Sequence, residues 1–206
     1  KKEFVKTVLP IIINENQNIL MIRSFVNELK GKLETFRTLN NNEIRKLNDI
    51  AKKYNIKYQN KHKLDLVDEI LSNVDVIPNS IVLAQAAIES GWGKSRFAKE
   101  YNALFGEYTY DDSEGVIPLE RENGDTHLIK AFSSYSNSVE SYFDNINSHY
   151  AYEDFRDIRN IMRKRNNFSN VNLLVNKLST YAEDENYIKT IRPVSYTHLR
   201  AHETHE

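Results

Sequence analysis

Apolar residues fall at helical spacing over most of this chain. From Phe4 to about Leu33 they form one stripe through Val5, Val8, Leu9, Ile12, Ile19, Ile22 and Val26. Pro10 lies inside that stripe, so a bend or a division into two helices is the alternative to one long helix. Asn41 or Asn42 can cap a second helix with Ile44, Leu47, Ile50 and Ala51 on one face, and Leu64 to Leu71 makes a short third. The next segment differs in kind. Val76 through Ile88 carries no charge, and the apolar and small residues from Ile81 to Ile88 describe a helix buried nearly all round. Pro78 with Asn79 or Ser80 can start it, and Gly91 can stop it in a left-handed cap. After Gly106 the period changes. Gly115 to Glu122, then Asn123-Gly124, then Asp125 to Phe132 with His127, Ile129 and Ala131 alternating predicts a β-hairpin. Helices resume near Ser136, Glu153, Ser169 and Asp184, the last with Tyr187, Ile188 and Ile191 facing inward. The pattern alone gives an α+β chain.

The chemistry concentrates at the end of the uncharged helix, where Glu89 is the first ionisable residue. A carboxylate there meets the negative end of the helix dipole, apolar surroundings and the lone Trp92, all of which disfavour ionisation and suit a general acid. A helix-terminal salt bridge to Lys94 or Arg96 is the plainer alternative.

The letters around Glu89 carry a resemblance. Ala86-Ala87-Ile88-Glu89-Ser90-Gly91-Trp92-Gly93 and the following Asn102-Ala103-Leu104-Phe105-Gly106 resemble the signature of the peptidoglycan-cutting glucosaminidases (glycoside hydrolase family 73), specifically the Bax-type branch. Phe4 to Gln17, Val74 to Ser80, Phe132 to Tyr135, Ser138 to Tyr142, Asn145 to His149 and Ala151-Tyr152 are similar to the same branch. So is Tyr181-Ala182-Glu183-Asp184-Glu185-Asn186-Tyr187, and the resemblance spans nearly all of residues 4 to 192. It implies a mainly α (α+β), lysozyme-like helical domain with a small β-hairpin lobe, preceded by a helical extension. The expected division is 1–75 for the extension and 76–192 for the catalytic domain. It also implies hydrolysis of the β-1,4 bond after N-acetylglucosamine in peptidoglycan glycan strands, with Glu89 as the acid.

Glycoside hydrolysis usually employs a second carboxylate, roughly 6.5–9.5 Å away in inverting enzymes and nearer in retaining ones. In the glucosaminidases this one resembles, it is a Glu on the hairpin lobe four residues before a turn glycine. Glu120 meets that spacing against Gly124, Glu122 is its competitor, and the substrate's own N-acetyl oxygen is a third route. The resemblance places Tyr181 near the acid, where a phenol can orient the acetamido group or a water; otherwise it is a core aromatic. Trp92, Phe105 and Tyr108 are candidates to line a sugar cleft, with Trp92 and Phe105 equally suited to packing behind the acid. His127 and His149 read as surface or hydrogen-bonding residues.

Composition narrows the remaining classes. The 206 residues suffice for one domain plus an extension, and the formal charge of −1 gives no reason to expect nucleic acid. There is no cysteine, so thiolate ligands, disulfides and a cysteine nucleophile for amide cleavage are absent, and no cofactor is implied. No stretch approaches the roughly 18 apolar residues of a membrane span. A bacterial envelope, periplasmic location is expected, with a signal peptide lost along with an N-terminus that opens on Lys1. Residues 193–206 resemble a translated sequencing adapter and are expected to be an artificial tail on a fragment. Three of the six histidines, His198, His202 and His205, lie there, and His202-Glu203-Thr204-His205 lacks the zincin spacing, so no metal site is expected. The competing class is a glycan-binding or cell-wall scaffold protein that keeps the fold without turnover.

Overall fold

The computed structural model describes residues 1–118, 126–167, 170–178, 181, 189 and 191. The chain is mainly helical with a small antiparallel sheet, the layout expected for a lysozyme-like glucosaminidase domain. Helix α1 (Lys2–Glu34) runs unbroken through Pro10, so the single-helix alternative holds. Its buried positions Phe4, Val8, Ile12, Ile19, Val26 and Leu29 continue at helical spacing across the proline, which removes only one backbone bond. The helices α2 (Asn41–Lys53), α3 (Lys63–Asn73), α4 (Asn79–Glu89) and α5 (Arg96–Tyr101) follow. The strands are β1 (Tyr108–Thr109), β2 (Gly115–Val116) and β3 (Leu128–Lys130), before α6 (Tyr135–Ser148), α7 (Glu153–Lys164) and α8 (Val171–Val175). Short 3-10 turns cover Tyr150–Tyr152 and Asn176–Leu178.

Two compact units share the chain. The first comprises Lys1–Glu15, Pro78–Tyr142 and Lys189–Glu206. Its centre is α4, in which every residue from Ser80 to Ala87 is buried, as its lack of charge predicts. Phe4, Val8 and Ile12, then Ala98, Leu104, Phe105, Leu128, Val139, Tyr142 and Ile191 complete this core. The sheet has the order β1-β3-β2, with Gly115 opposite Lys130 and Val116 opposite Ile129. The β2–β3 pairing is the predicted hairpin; its Asn123-Gly124 turn falls outside the described residues. Strand β1, pairing Tyr108 with Ile129, is an addition to the prediction. Leu128 and Ile129 are both buried, so strict alternation fails where the sheet is covered on each face.

The second unit comprises Asn16–Ile77 and Phe143–Ile188. Helix α2 begins one residue earlier than expected, because Asn40 is the cap. Its side chain accepts from the Glu43 amide at 3.0 Å while Glu43 accepts from the Asn40 amide at 2.9 Å. Of the three consecutive asparagines, only Asn40 has a glutamate three residues on, which is what a capping box requires. The connection after α3 is held by charge. Buried Asp75 accepts two hydrogen bonds of 2.5 Å from Arg163 and lies 3.3 Å from Arg23. Fully buried Arg159 donates to the carbonyls of Asn73 at 2.7 Å and Asp75 at 2.9 Å, and Arg23 donates to those of Leu71 and Val74. Burial pulls the Arg159 guanidinium down to about 9, against the opposing pull of the Asp75 charge.

Candidate active site

Glu89 is the last residue of α4 and is half-buried. The helix ends on Ser90, whose hydroxyl donates to the Ala86 carbonyl at 2.5 Å and accepts from the Gly93 amide at 2.8 Å. The Ser90 carbonyl accepts from the amides of Lys94 and Ser95, each at 3.0 Å. This buried serine thus winds the chain into a tight turn in which Gly91, Trp92 and Gly93 are all left-handed, at φ of 56°, 60° and 71°. The expected left-handed stop at Gly91 is therefore the first of three such residues. Trp92 is held there by its amide, which donates to the Ala87 carbonyl at 2.7 Å, and by Phe4, edge-on at 6.0 Å between ring centres. Arg96, one of the salt-bridge candidates, lies 3.7 Å from Glu100 and donates to the Ile117 carbonyl at 3.3 Å.

The second motif folds against the first. Asn102 ends α5 in a left-handed conformation and donates from its side chain to the Phe132 carbonyl at 2.9 Å. The Leu104 amide donates to the buried Ser138 hydroxyl of α6 at 3.1 Å. Phe105, 2% exposed, stacks on Tyr142 with ring centres 4.2 Å apart. At this burial Phe105 is a packing residue of the first unit's core. Gly106 then turns left-handed at φ 62°, and a methyl group built on it would lie 3.9 Å from Glu89 Oε2. The Asn102-to-Gly106 motif therefore delivers backbone directly to the Glu89 carboxylate, leaving no side chain between them.

The sheet beside this motif carries Tyr108, 65% exposed, its ring 4.3 Å from that of His127. Glu107 accepts from the Ser141 hydroxyl at 3.0 Å, Lys130 donates to that hydroxyl at 3.3 Å, and Lys130 lies 3.9 Å from Glu114. Glu89, Trp92, Phe105 and Tyr108 all belong to the first unit. Tyr181 belongs to the second, half-buried, with its ring 6.3 Å from that of Tyr152. Glu120 and Glu122 lie outside the described residues, as does the tail 193–206 with its histidines. His149 caps a 3-10 turn by accepting from the Ala151 amide at 3.2 Å, a hydrogen-bonding role as expected. Among the described residues no group of three or more His, Cys, Asp or Glu could hold a metal ion, and no helix is long and apolar enough to cross a membrane.

Four supporting residues have no role assigned from the sequence: Gln85, Ser90, Ser138 and Tyr142. Ser90, Ser138 and Tyr142 stand in the segments that carry the resemblance, and Gln85 is a large polar side chain in an otherwise apolar helix. Tyr142 donates a hydrogen bond to Gln85 across 57 residues of chain.

The profile of the glucosaminidase family, described as mannosyl-glycoprotein endo-beta-N-acetylglucosaminidase, matches residues 64–198. The chain belongs to the glucosaminidase family, as a Bax-type member. It is 33% identical over 184 residues to Protein bax of Escherichia coli (strain K12), covering 88% of this chain and 63% of that protein. It is 35% identical over 92 residues to Peptidoglycan hydrolase FlgJ of Escherichia coli O157:H7, covering 40% of this chain and 29% of that one. The chain thus spans less than two thirds of the curated relatives' length. The crystal structure of the autolysin Auto catalytic domain from Listeria monocytogenes aligns with a TM-score of 0.43 at 18% identity, covering 88% of this chain and 91% of that one.

Proposed function

We propose that this chain is a peptidoglycan hydrolase that cleaves the β-1,4 glycosidic bond after N-acetylglucosamine within glycan strands, with Glu89 as general acid. The observation that carries the reading is the meeting of the two motifs. Glu89 ends a buried helix, and Gly106 brings bare backbone against its carboxylate, so that a sugar ring can approach the acid. Membership of the glucosaminidase family supports the bond type, and the name of the FlgJ relatives supports the polymer. The bacterial envelope, in its periplasmic space, is the matching location. In this reading Glu120 activates the water or attacks the sugar from the hairpin lobe, with Glu122 the alternative. Tyr181 orients the acetamido group, Trp92 and Tyr108 contact sugar, and Phe105 supports the acid from behind. The contiguous division into a 1–75 extension, a 76–192 catalytic domain and an artificial 193–206 tail belongs to the same proposal.

The test is mass spectrometry of purified peptidoglycan digested with the protein. Fragments with reducing-end N-acetylglucosamine are expected. Reducing-end muramic acid would make the enzyme a muramidase instead, and intact strands would leave a glycan-binding protein.

A further inference from the structure

Gln85 and Tyr142 are both fully buried, and the Tyr142 hydroxyl donates to Gln85 Oε1. A buried amide in an apolar helix is costly, and leucine would serve packing alone, so the polar pair must specify something that packing does not. Its surroundings show what. Gln85 lies four residues before Glu89, one turn earlier on the same face of α4. Tyr142 stacks on Phe105, whose neighbour Gly106 abuts the Glu89 carboxylate. Within the first unit a path runs from Glu89 to Gln85 one turn back, through the hydrogen bond to Tyr142 of α6 and its stack on Phe105, to Gly106 and back towards Glu89. One hydrogen bond therefore ties the acid's helix to the ring that packs on the loop facing the acid, beside the Asn102 and Leu104 bonds that also hold that loop.

We propose that Gln85 and Tyr142 are positioning residues for Glu89, acting as one hydrogen-bonded unit that fixes the carboxylate against the Asn102-to-Gly106 loop. The role rests on the reading of Glu89 as the acid. Positioning affects the chemical step more than substrate affinity, because it changes the geometry in which the proton is delivered. Tyr142→Phe keeps the ring stacked on Phe105 and deletes only the hydroxyl. Gln85→Met keeps length and helix propensity and deletes the acceptor.

The experiment measures release of reducing ends from soluble glycan strands by the full chain, its Glu89→Gln variant, the two single variants and their double. Displacements of an ångström cost up to about a hundredfold in rate, so a loss of about tenfold or more in kcat is expected for each single variant. KM should stay within about twofold, and the double variant should lose no more than the worse single, as for one shared interaction. Circular dichroism and melting curves establish folding, and Gln85→Met carries the test if Tyr142→Phe does not fold. Wild-type kcat in either folded single variant, or losses that multiply in the double, would overturn the positioning role. A wild type that releases no reducing ends would remove the glycosidase reading and this role with it. An active wild type with an inactive Glu89→Gln and an unimpaired Tyr142→Phe would remove the positioning role alone.

Discussion

Trp92 holds a left-handed backbone that a bulky residue adopts at a cost of about 1–3 kcal/mol. Such strain persists only where surrounding contacts over-determine it, and here the Ser90 turn and Phe4 do so. Gly106 poses the complementary case. At φ 62° an alanine is strained by about 1 kcal/mol, and its methyl would fill the space 3.9 Å from Glu89 Oε2 in ordinary contact with it. Gly106→Ala is therefore expected to lower the melting temperature slightly and turnover far more, checked by parallel calorimetry and reducing-end assays. Equal retention of both would show that the Glu89–Gly106 approach has no part in catalysis. The place of Glu89 at the end of a buried helix was legible in the sequence, because a helix without charge ending in a single carboxylate is a local pattern. The Gln85–Tyr142 bond was not, since a contact across 57 residues leaves no spacing to read.

The C-terminal end of α4 is a small structure with its own chemistry. Ser90 serves the Ala86 carbonyl and the Gly93, Lys94 and Ser95 amides, the hydroxyl taking the first two. Ser90→Ala leaves the part-buried Gly93 amide without that acceptor, so a loss of about 1 kcal/mol in denaturant unfolding is expected. A neutral effect would mean the turn is held by its backbone bonds alone. In the sheet, a methyl group on Gly115 would lie 2.5 Å from Leu128 Cβ and 2.6 Å from Thr109 Cγ2. Gly115→Ala should therefore separate β2 from β3, read as faster amide exchange at Ala131, whose amide donates to the Glu114 carbonyl at 2.7 Å; unchanged protection would show that the lobe absorbs the methyl. The hairpin was legible from Asn-Gly and the change of period. Strand β1 was not, because two residues carry no periodicity and are defined only by their partner. The α2 cap shifted by one position because the deciding residue, Glu43, lies inside the helix.

At the scale of the molecule, the helical plan was readable from apolar spacing, whereas the compact units were not. Each is assembled from separated segments, and α1 and α6 supply residues to both. In the second unit three arginines surround one buried aspartate, and none of the four stands out in the sequence from ordinary surface charge. Asp75→Asn removes the only carboxylate in this described group while the guanidinium of Arg159 stays fully buried. A loss of about 3–5 kcal/mol in chemical unfolding is expected, as for breaking a buried ion pair, and a loss near zero would show the carbonyl bonds suffice. The most direct test of the central claim is the turnover of purified peptidoglycan by Glu89→Gln beside the wild type. The amide keeps the shape of the side chain but has no proton to give the leaving oxygen. The account predicts reducing-end N-acetylglucosamine from the wild type, almost none from the variant, and nearly equal melting temperatures; near-wild-type hydrolysis by Glu89→Gln would contradict it.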